Sequence, residues 1–333
     1  MNRPKIAVVG ATGMVGRMFL KVLEERGIEA DYTLFASARS AGETLRFFGK
    51  DFPVSELTET SFLNRGFQYA LFSAGGAVSE RFAPLAAESG AIVIDNSSCW
   101  RMNPDVPLVV PEVNPEALAS IPLGIVANPN CSTIQAMVPL KALDDAFGLK
   151  RVIYSTYQAV SGAGQKGYQD LEDGLCGALP KKFPHPIAGN CIPHIDVFLE
   201  NGYTKEEQKM IDESRKILNR SDLRVTATCV RVPVYHGHSE SINVETERPF
   251  DLPEVFRLFG KTEGLIVSDD PKNNVYPMPI DAAGTDPVYV GRIRRDFSVE
   301  NGLNFWCVAD NIRKGAATNA VQILEKLLGR NEK

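Results

Sequence analysis

A short apolar run, Lys5-Ile6-Ala7-Val8-Val9, passes directly into Gly10-Ala11-Thr12-Gly13-Met14-Val15-Gly16 and then into an amphipathic stretch reaching residue 26. Strand, glycine turn and helix in that order leave few folds open. They begin a doubly wound, nucleotide-binding α/β sheet. In such a sheet Gly10 permits the tight turn, Gly13 lets the backbone approach a pyrophosphate, and Gly16 allows close helix–strand packing. The helix N-terminus supplies the anion site. The spacing is GxxGxxG rather than GxGxxG, so an ordinary strand–helix turn stays open as the plainer alternative. Gly10, Thr12, Gly13, Met14 and Val15 are the cofactor-loop candidates.

The periodicity predicts further strands near 32–36, 69–73 and 91–95, with a helix over 78–88. Strands alternating with helices call for a parallel sheet. After about residue 150 the texture changes to β-rich runs at 151–160, 225–235, 241–247 and 288–297. Ser241-Ile242-Asn243-Val244-Glu245 alternates polar and apolar residues, as in an antiparallel sheet with one covered face. Helices are expected at 205–218 and 253–259, and a last one at 312–328. The expected fold class is α/β: an N-terminal Rossmann-like, doubly wound parallel sheet, then an α+β catalytic domain with a mainly antiparallel sheet. The division expected is 1–130 for nucleotide binding, 131–310 for catalysis and dimerisation, and 311–333 as a C-terminal helix returning to the first domain.

At 333 residues, 44% hydrophobic and 23% charged, the chain can bury two cores. A net charge of −5 offers no basic field for nucleic acid. No apolar run approaches the ~18 residues of a membrane span. The opening residues lack signal-peptide character, so a cytoplasmic location is expected. The six cysteines are scattered, with no CxxC pair and no ligand spacing, so no metal site is expected and most should be reduced, buried thiols.

After the second strand the chain reads Ala36-Ser37-Ala38-Arg39-Ser40-Ala41-Gly42. An NAD-specific fold would place an acid there to hold the ribose hydroxyl. Arg39 flanked by Ser37 and Ser40 suits a 2′-phosphate instead, which points to NADP(H); a solvated loop arginine is the alternative. Ser73-Ala74-Gly75-Gly76 and Asp95-Asn96-Ser97-Ser98 also follow strands, Gly75 being a further cofactor candidate and Arg101 lying close behind the second turn. Both segments could equally be ordinary turns.

Asn128-Pro129-Asn130-Cys131-Ser132-Thr133 precedes apolar residues at helical spacing, with Pro139 expected to kink that helix. A cysteine at a helix N-terminus has its thiolate stabilised by the dipole and the free N–H groups, which is how a nucleophile is prepared. Of the four histidines, His185 and His194 lie in proline-rich loops, and His236 and His238 lie between two strands. Taken singly, each reads as packing or surface. Arg231, alone in a β-rich run, needs an anion: a structural carboxylate or a substrate.

Together these segments resemble the aspartate-β-semialdehyde dehydrogenase family. The resemblance is carried by the glycine loop, Ser37-Ala38-Arg39-Ser40, Asn128 to Thr133, Gln158 with Ser161-Gly162-Ala163-Gly164, Arg231, Gly237-His238-Ser239-Glu240, and Asp310-Asn311-Ile312-Arg313-Lys314-Gly315. It implies NADPH-dependent reduction of aspartyl-β-phosphate to aspartate semialdehyde with release of phosphate, on the diaminopimelate route to lysine and toward threonine and methionine. It implies Cys131 as the nucleophile that forms a thioester, His238 as general acid/base, and Gln158 as the residue orienting the intermediate. Arg231 would hold the substrate carboxylate and Glu206 its amino group. Arg101 and Lys209 would hold phosphate, while Ser161, Gly162 and Asn311 would position the cofactor. It further implies a homodimer. An enzyme like N-acetyl-γ-glutamyl-phosphate reductase is the nearest alternative, though its blocked amine would leave Glu206 without an ammonium. An inactive NADP-binding paralogue would lack the nucleophile, histidine or carboxylate clamp, and all three are present.

Overall fold

The computed structural model describes residues 3–329; the first two residues of the opening segment and the last four of the C-terminal one lie outside that range. The chain forms two compact units, one built from residues up to Pro129 together with those from Ala316 on, the other from Asn130–Gly315. Asn311 through Gly315 therefore belong to the second unit rather than to the C-terminal helix. There the Asn311 side chain accepts from the Gly237 N–H at 3.0 Å and donates to Ser161 Oγ at 3.0 Å.

In the first unit β1 (Lys5–Val9) is followed by α1 (Met14–Glu25) and β2 (Asp31–Ala36). Next come β3 (Thr44–Phe47), β4 (Lys50–Glu56), β5 (Tyr69–Phe72), α2 (Gly76–Glu88), β6 (Ile92–Asp95) and β7 (Ile125–Ala127). The sheet order is β3-β4-β2-β1-β5-β6-β7, parallel except for the β3–β4 pair. This is the expected doubly wound sheet. Strand order reverses beside β1, so the crevice for a ligand lies past the carboxyl ends of β1 and β5. Ile6, Ala7, Val8 and Val9 are fully buried, as a strand covered on both faces requires.

The second unit opens with α3 (Cys131–Phe147) and β8 (Leu149–Gln158), then α4 (Gln165–Leu175), α5 (Lys205–Ile217), β9 (Arg224–Arg231) and β10 (His238–Thr246). It closes with α6 (Leu252–Phe259), β11 (Leu265–Val267), α7 (Pro279–Ala282), β12 (Val288–Asp296) and β13 (Gly302–Ala309). The order β11-β12-β13-β10-β8-β9 is antiparallel at three of its five pairings, with parallel pairs at the two edges. α3 runs unbroken through Pro139.

The expected terminal helix over 312–328 is two pieces: a π-helical stretch at Arg313–Thr318, then α8 (Asn319–Leu327). α8 places Ala320, Val321, Ile323 and Leu324 in the first unit's core with Val8, Phe19, Leu71 and Ile94. Each such large aliphatic side chain contributes roughly 1.5–3 kcal/mol when fully buried. Arg26 clamps the same helix through Glu325 at 2.6 Å.

Candidate active site

In the first unit the glycine loop has the geometry of a phosphate cradle. Gly10 has φ +82°, and a Cβ there would collide with the Ser73 carbonyl beyond β5; one at Gly16 would collide with the Gly10 carbonyl. Backbone from β1 and β5 thus meets at the switch point with no side chain between. Arg39 is exposed on a short 3₁₀ turn at the end of β2, with no ion-pair partner among the described residues. Arg101 is buried and donates to the carbonyls of Asn128, at 2.9 Å, and Asn96, at 3.1 Å. The residues present fit a dinucleotide carrying an extra phosphate.

In the second unit three neighbouring strands end together beneath the start of α3. Cys131 is the first residue of α3 and is half-buried. The Asn130 side chain caps the helix, accepting from the N–H groups of Ser132 at 3.0 Å and Thr133 at 3.4 Å. Such a cap is worth about 1 kcal/mol and leaves the positive end of the helix dipole at the sulfur.

Gln158 ends β8, Arg231 ends β9 and is paired with it in register, and His238 begins β10. His238 Nε2 lies 3.2 Å from Cys131 Sγ. Its Nδ1 accepts from the Ala159 backbone N–H at 3.0 Å. A backbone N–H can only donate, so Nδ1 carries the lone pair and the ring proton sits on Nε2, facing the sulfur. Burial, with the Arg231 charge beside it, pushes the His238 pKa down to about 3, Glu206 opposing only in part. At neutral pH the ring is neutral and presents a donor to the sulfur. The resemblance implies acid and base action at this residue; the resting geometry favours donation.

Arg231 is 5% exposed, and among the described residues its side chain's one hydrogen bond goes from Nη1 to the Ala159 carbonyl at 2.6 Å. Among the described residues no carboxylate forms an ion pair with it. Burial pushes its pKa down, against the opposing charges of Glu206 and Cys131. A guanidinium buried with four donors unspent is a site for an anion.

A capping box of Thr204 and Glu207 fixes the start of α5, so Glu206 and Lys209 share one face, three residues apart. Glu206 accepts from Asn130 Nδ2 at 2.8 Å and Gln158 Nε2 at 3.1 Å, and pairs with Lys209 at 3.0 Å. Burial pushes its pKa up, but Lys209 and those hydrogen bonds prevail and hold it at about 2. Gln158 is also fixed from behind, its Oε1 accepting from Thr156 Oγ1 at 3.1 Å. Lys209 is already engaged. A second carboxylate, Asp196, lies 2.8 Å from it, on a backbone held at φ +68°. The expected phosphate ligand is thus the cation of an ion triad that the sequence did not reveal.

Two glycines fit against these groups. A Cβ at Gly162 would meet Arg231 Nη1 at 2.9 Å and His238 Nε2 at 3.2 Å, so this cofactor candidate lies against both side chains. A Cβ at Gly315 would meet Cys131 Cβ at 2.9 Å; sequence reasoning missed this contact between residues so far apart. Among the described residues, no group of three or more His, Cys, Asp or Glu is placed to hold a metal ion, and no helix is long and apolar enough to cross a membrane.

Glu240, fully buried one pleat along from His238, has no hydrogen-bond partner for either carboxylate oxygen among the described residues. Burial, then the Glu206 charge, push its pKa well above the usual 4.5. The folded state therefore keeps a proton that the unfolded chain loses above about pH 4.5, and stability falls as pH rises past that point. Glu240→Gln removes this dependence. The variant's melting temperature relative to wild type should rise between about pH 5 and pH 8; a difference that does not grow with pH would show an ionised Glu240.

Residues 5–121 match a family model described as semialdehyde dehydrogenase, NAD binding domain, and residues 140–314 one described as semialdehyde dehydrogenase, dimerisation domain. An aspartate-semialdehyde dehydrogenase of Aquifex aeolicus is 57% identical over 334 residues, covering 97% of this chain and 98% of its own. The chain belongs to the aspartate-semialdehyde dehydrogenase family. A Bacillus subtilis relative of the same name is 49% identical over 97% of this chain and 96% of its own. Among solved members of the family, aspartate semialdehyde dehydrogenase II of Vibrio cholerae, crystallised in complex with ASA, superposes with a TM-score of 0.95 at 48% identity over 99% of both chains. An enzyme of this family from Candida albicans, solved with NADP, is 27% identical, with a TM-score of 0.78 over 98% of this chain and 99% of its own.

Proposed function

We propose that this chain is an NADP(H)-dependent aspartate-semialdehyde dehydrogenase that reduces aspartyl-β-phosphate to the semialdehyde with release of phosphate, as a cytoplasmic homodimer serving lysine, threonine and methionine synthesis. The observation that carries the reading is the cluster of Cys131, His238, Gln158 and Arg231, in which a buried guanidinium without a carboxylate partner stands beside a helix-capped thiol facing an imidazole. Arg231 takes the substrate α-carboxylate as a planar fork. Glu206, ionised and rigidly held, takes the ammonium, which favours an unblocked amine over an N-acetylated one. The Cys131 thiolate attacks the acyl carbon, the bond to the phosphate oxygen breaks, and a thioester remains. Arg101 and Lys209 are the cations assigned to phosphate. When bound, NADPH supplies a hydride to the thioester carbon. The Nε2–H of His238 then donates to the oxyanion, whose collapse breaks the carbon–sulfur bond and returns the thiolate. With a thiolate as leaving group, no step on this path takes a proton from the ring.

The test is the reverse reaction. Beyond one equivalent per active site, NADP should be reduced by aspartate semialdehyde only when phosphate is added, with saturation in both. Equal rates without phosphate would make the enzyme a hydrolytic aldehyde dehydrogenase and sink the reading.

For the cofactor, Arg39→Ala should weaken NADP(H) binding about ten- to a hundredfold, the cost of one lost charged contact, and NAD(H) binding little. Equal losses for both dinucleotides in a binding titration would make Arg39 structural.

A further inference from the structure

Two features in the second unit have no part in the chemistry above. Asp170, on α4, is 4% exposed, yet among the described residues no arginine or lysine side chain forms an ion pair with its carboxylate. It accepts instead from three successive backbone N–H groups: Lys181 at 2.9 Å, Lys182 at 2.7 Å and Phe183 at 2.9 Å. Those bonds hold its pKa low against the burial that would raise it. A buried carboxylate gripping three consecutive amides pins that stretch of chain at one point.

The second feature is what the pinned stretch carries. The Phe183 ring packs with Val160, Leu171, Ile187 and Ile192 and lies against α4 at Gly167, where a Cβ would come within 3.1 Å of its tip. Its face is turned toward the guanidinium of Arg231, with Cζ 5.9 Å from the ring centroid, within cation–π range. A guanidinium donates only in its own plane, so an aromatic face over it uses none of its hydrogen bonds. The ring therefore borders one face of the fork while consuming none of its donors, of which Nη1 alone is engaged, on the Ala159 carbonyl. Leucine would fill the same apolar cluster but would offer no π face.

We propose that Phe183, clasped in place by Asp170, is a positioning residue that sets specificity for a carboxylate-bearing substrate by holding the Arg231 fork covered and oriented. The inference rests on the reading of Arg231 as the carboxylate anchor. It adds two residues on which that anchor depends.

The experiment compares aspartate semialdehyde with 3-aminopropanal, the same aldehyde without its carboxylate, in the full-length enzyme. Phe183→Leu and Phe183→Ala should raise KM for aspartate semialdehyde about three- to tenfold, between the values of an exposed and a fully desolvated cation–π contact, with phosphate and NADP constants unchanged. The preference for aspartate semialdehyde over 3-aminopropanal should fall by the same factor. Asp170→Asn should shift both quantities in the same direction by a smaller factor, and Phe183→Tyr, which keeps the ring face, should restore the preference. A preference unchanged in Phe183→Leu and Phe183→Ala, or equal losses for both aldehydes, would reduce Phe183 to packing and overturn the proposal. Arg231→Lys, run in parallel, separates the two ideas. A collapsed preference there with none in the Phe183 variants refutes only the clasp, whereas an unchanged preference in Arg231→Lys refutes the anchor itself. Thermal melts of each variant confirm that the comparison is made on folded enzyme.

Discussion

Cys131→Ala should lose turnover by about 10³-fold or more while melting and binding NADP(H) as the wild type does. The reason is local. Cys131 occupies the first position of α3, where the Asn130 cap and the helix dipole serve the sulfur, and His238 Nε2 faces it at 3.2 Å. A methyl at that position disturbs no packing but cannot form a thioester. The other cysteines offer no substitute: Cys229 and Cys307 are buried with their thiols pushed up by desolvation, Cys99 is half-buried with its thiol pushed up likewise, and Cys176 and Cys191 are exposed. Activity within tenfold of wild type in a steady-state assay would remove Cys131 from the chemistry.

His238 carries the second large effect. The Ala159 N–H on Nδ1 leaves the ring proton at Nε2, so the residue is expected to work as a fixed donor to sulfur and oxyanion. His238→Ala should lower kcat by about 10²–10³, the loss seen when one oxyanion donor is removed. His238→Gln keeps an N–H donor of similar reach but cannot relay a proton, and should recover part of that loss. The two variants also distinguish donation from acid–base exchange. If glutamine proves as poor as alanine across the pH range, proton transfer is the function of His238 and the donor assignment fails.

Much of this site could be read from the chain before the structure. The strand–glycine–helix opening sets the first unit, because each residue there answers a local demand: apolar strand, turn, cap. The helix start at Asn130-Cys131-Ser132-Thr133 is local in the same way. What escaped depends on contacts between distant segments or on backbone that its residues do not advertise. The β3–β4 hairpin was not anticipated because its turn places Phe48 at φ +48°, where asparagine or glycine is the usual signal. β13 was missed, although it pairs along its whole length with β10. The π-helical stretch at Arg313–Thr318, which lets Gly315 approach Cys131, reads as ordinary helix in an alanine-rich sequence. Gln158, Glu206 and Lys209 were legible only through family resemblance, since amphipathic spacing alone makes Lys209 a surface lysine. Asp196 and Phe183 lie in a proline-rich stretch with no periodic signal, Asp170 lies on α4 before it, and their roles exist only once that stretch is folded.

The most direct measurement is the mass of the acid-quenched enzyme after mixing with aspartate semialdehyde and NADP in the absence of phosphate. With nothing to release the acyl group, the account predicts a stoichiometric adduct of one aspartyl residue, hydroxylamine-sensitive and mapped to the Cys131 peptide, that disappears when phosphate is added. An unmodified Cys131 under these conditions, or an adduct on another residue that phosphate does not discharge, would contradict it.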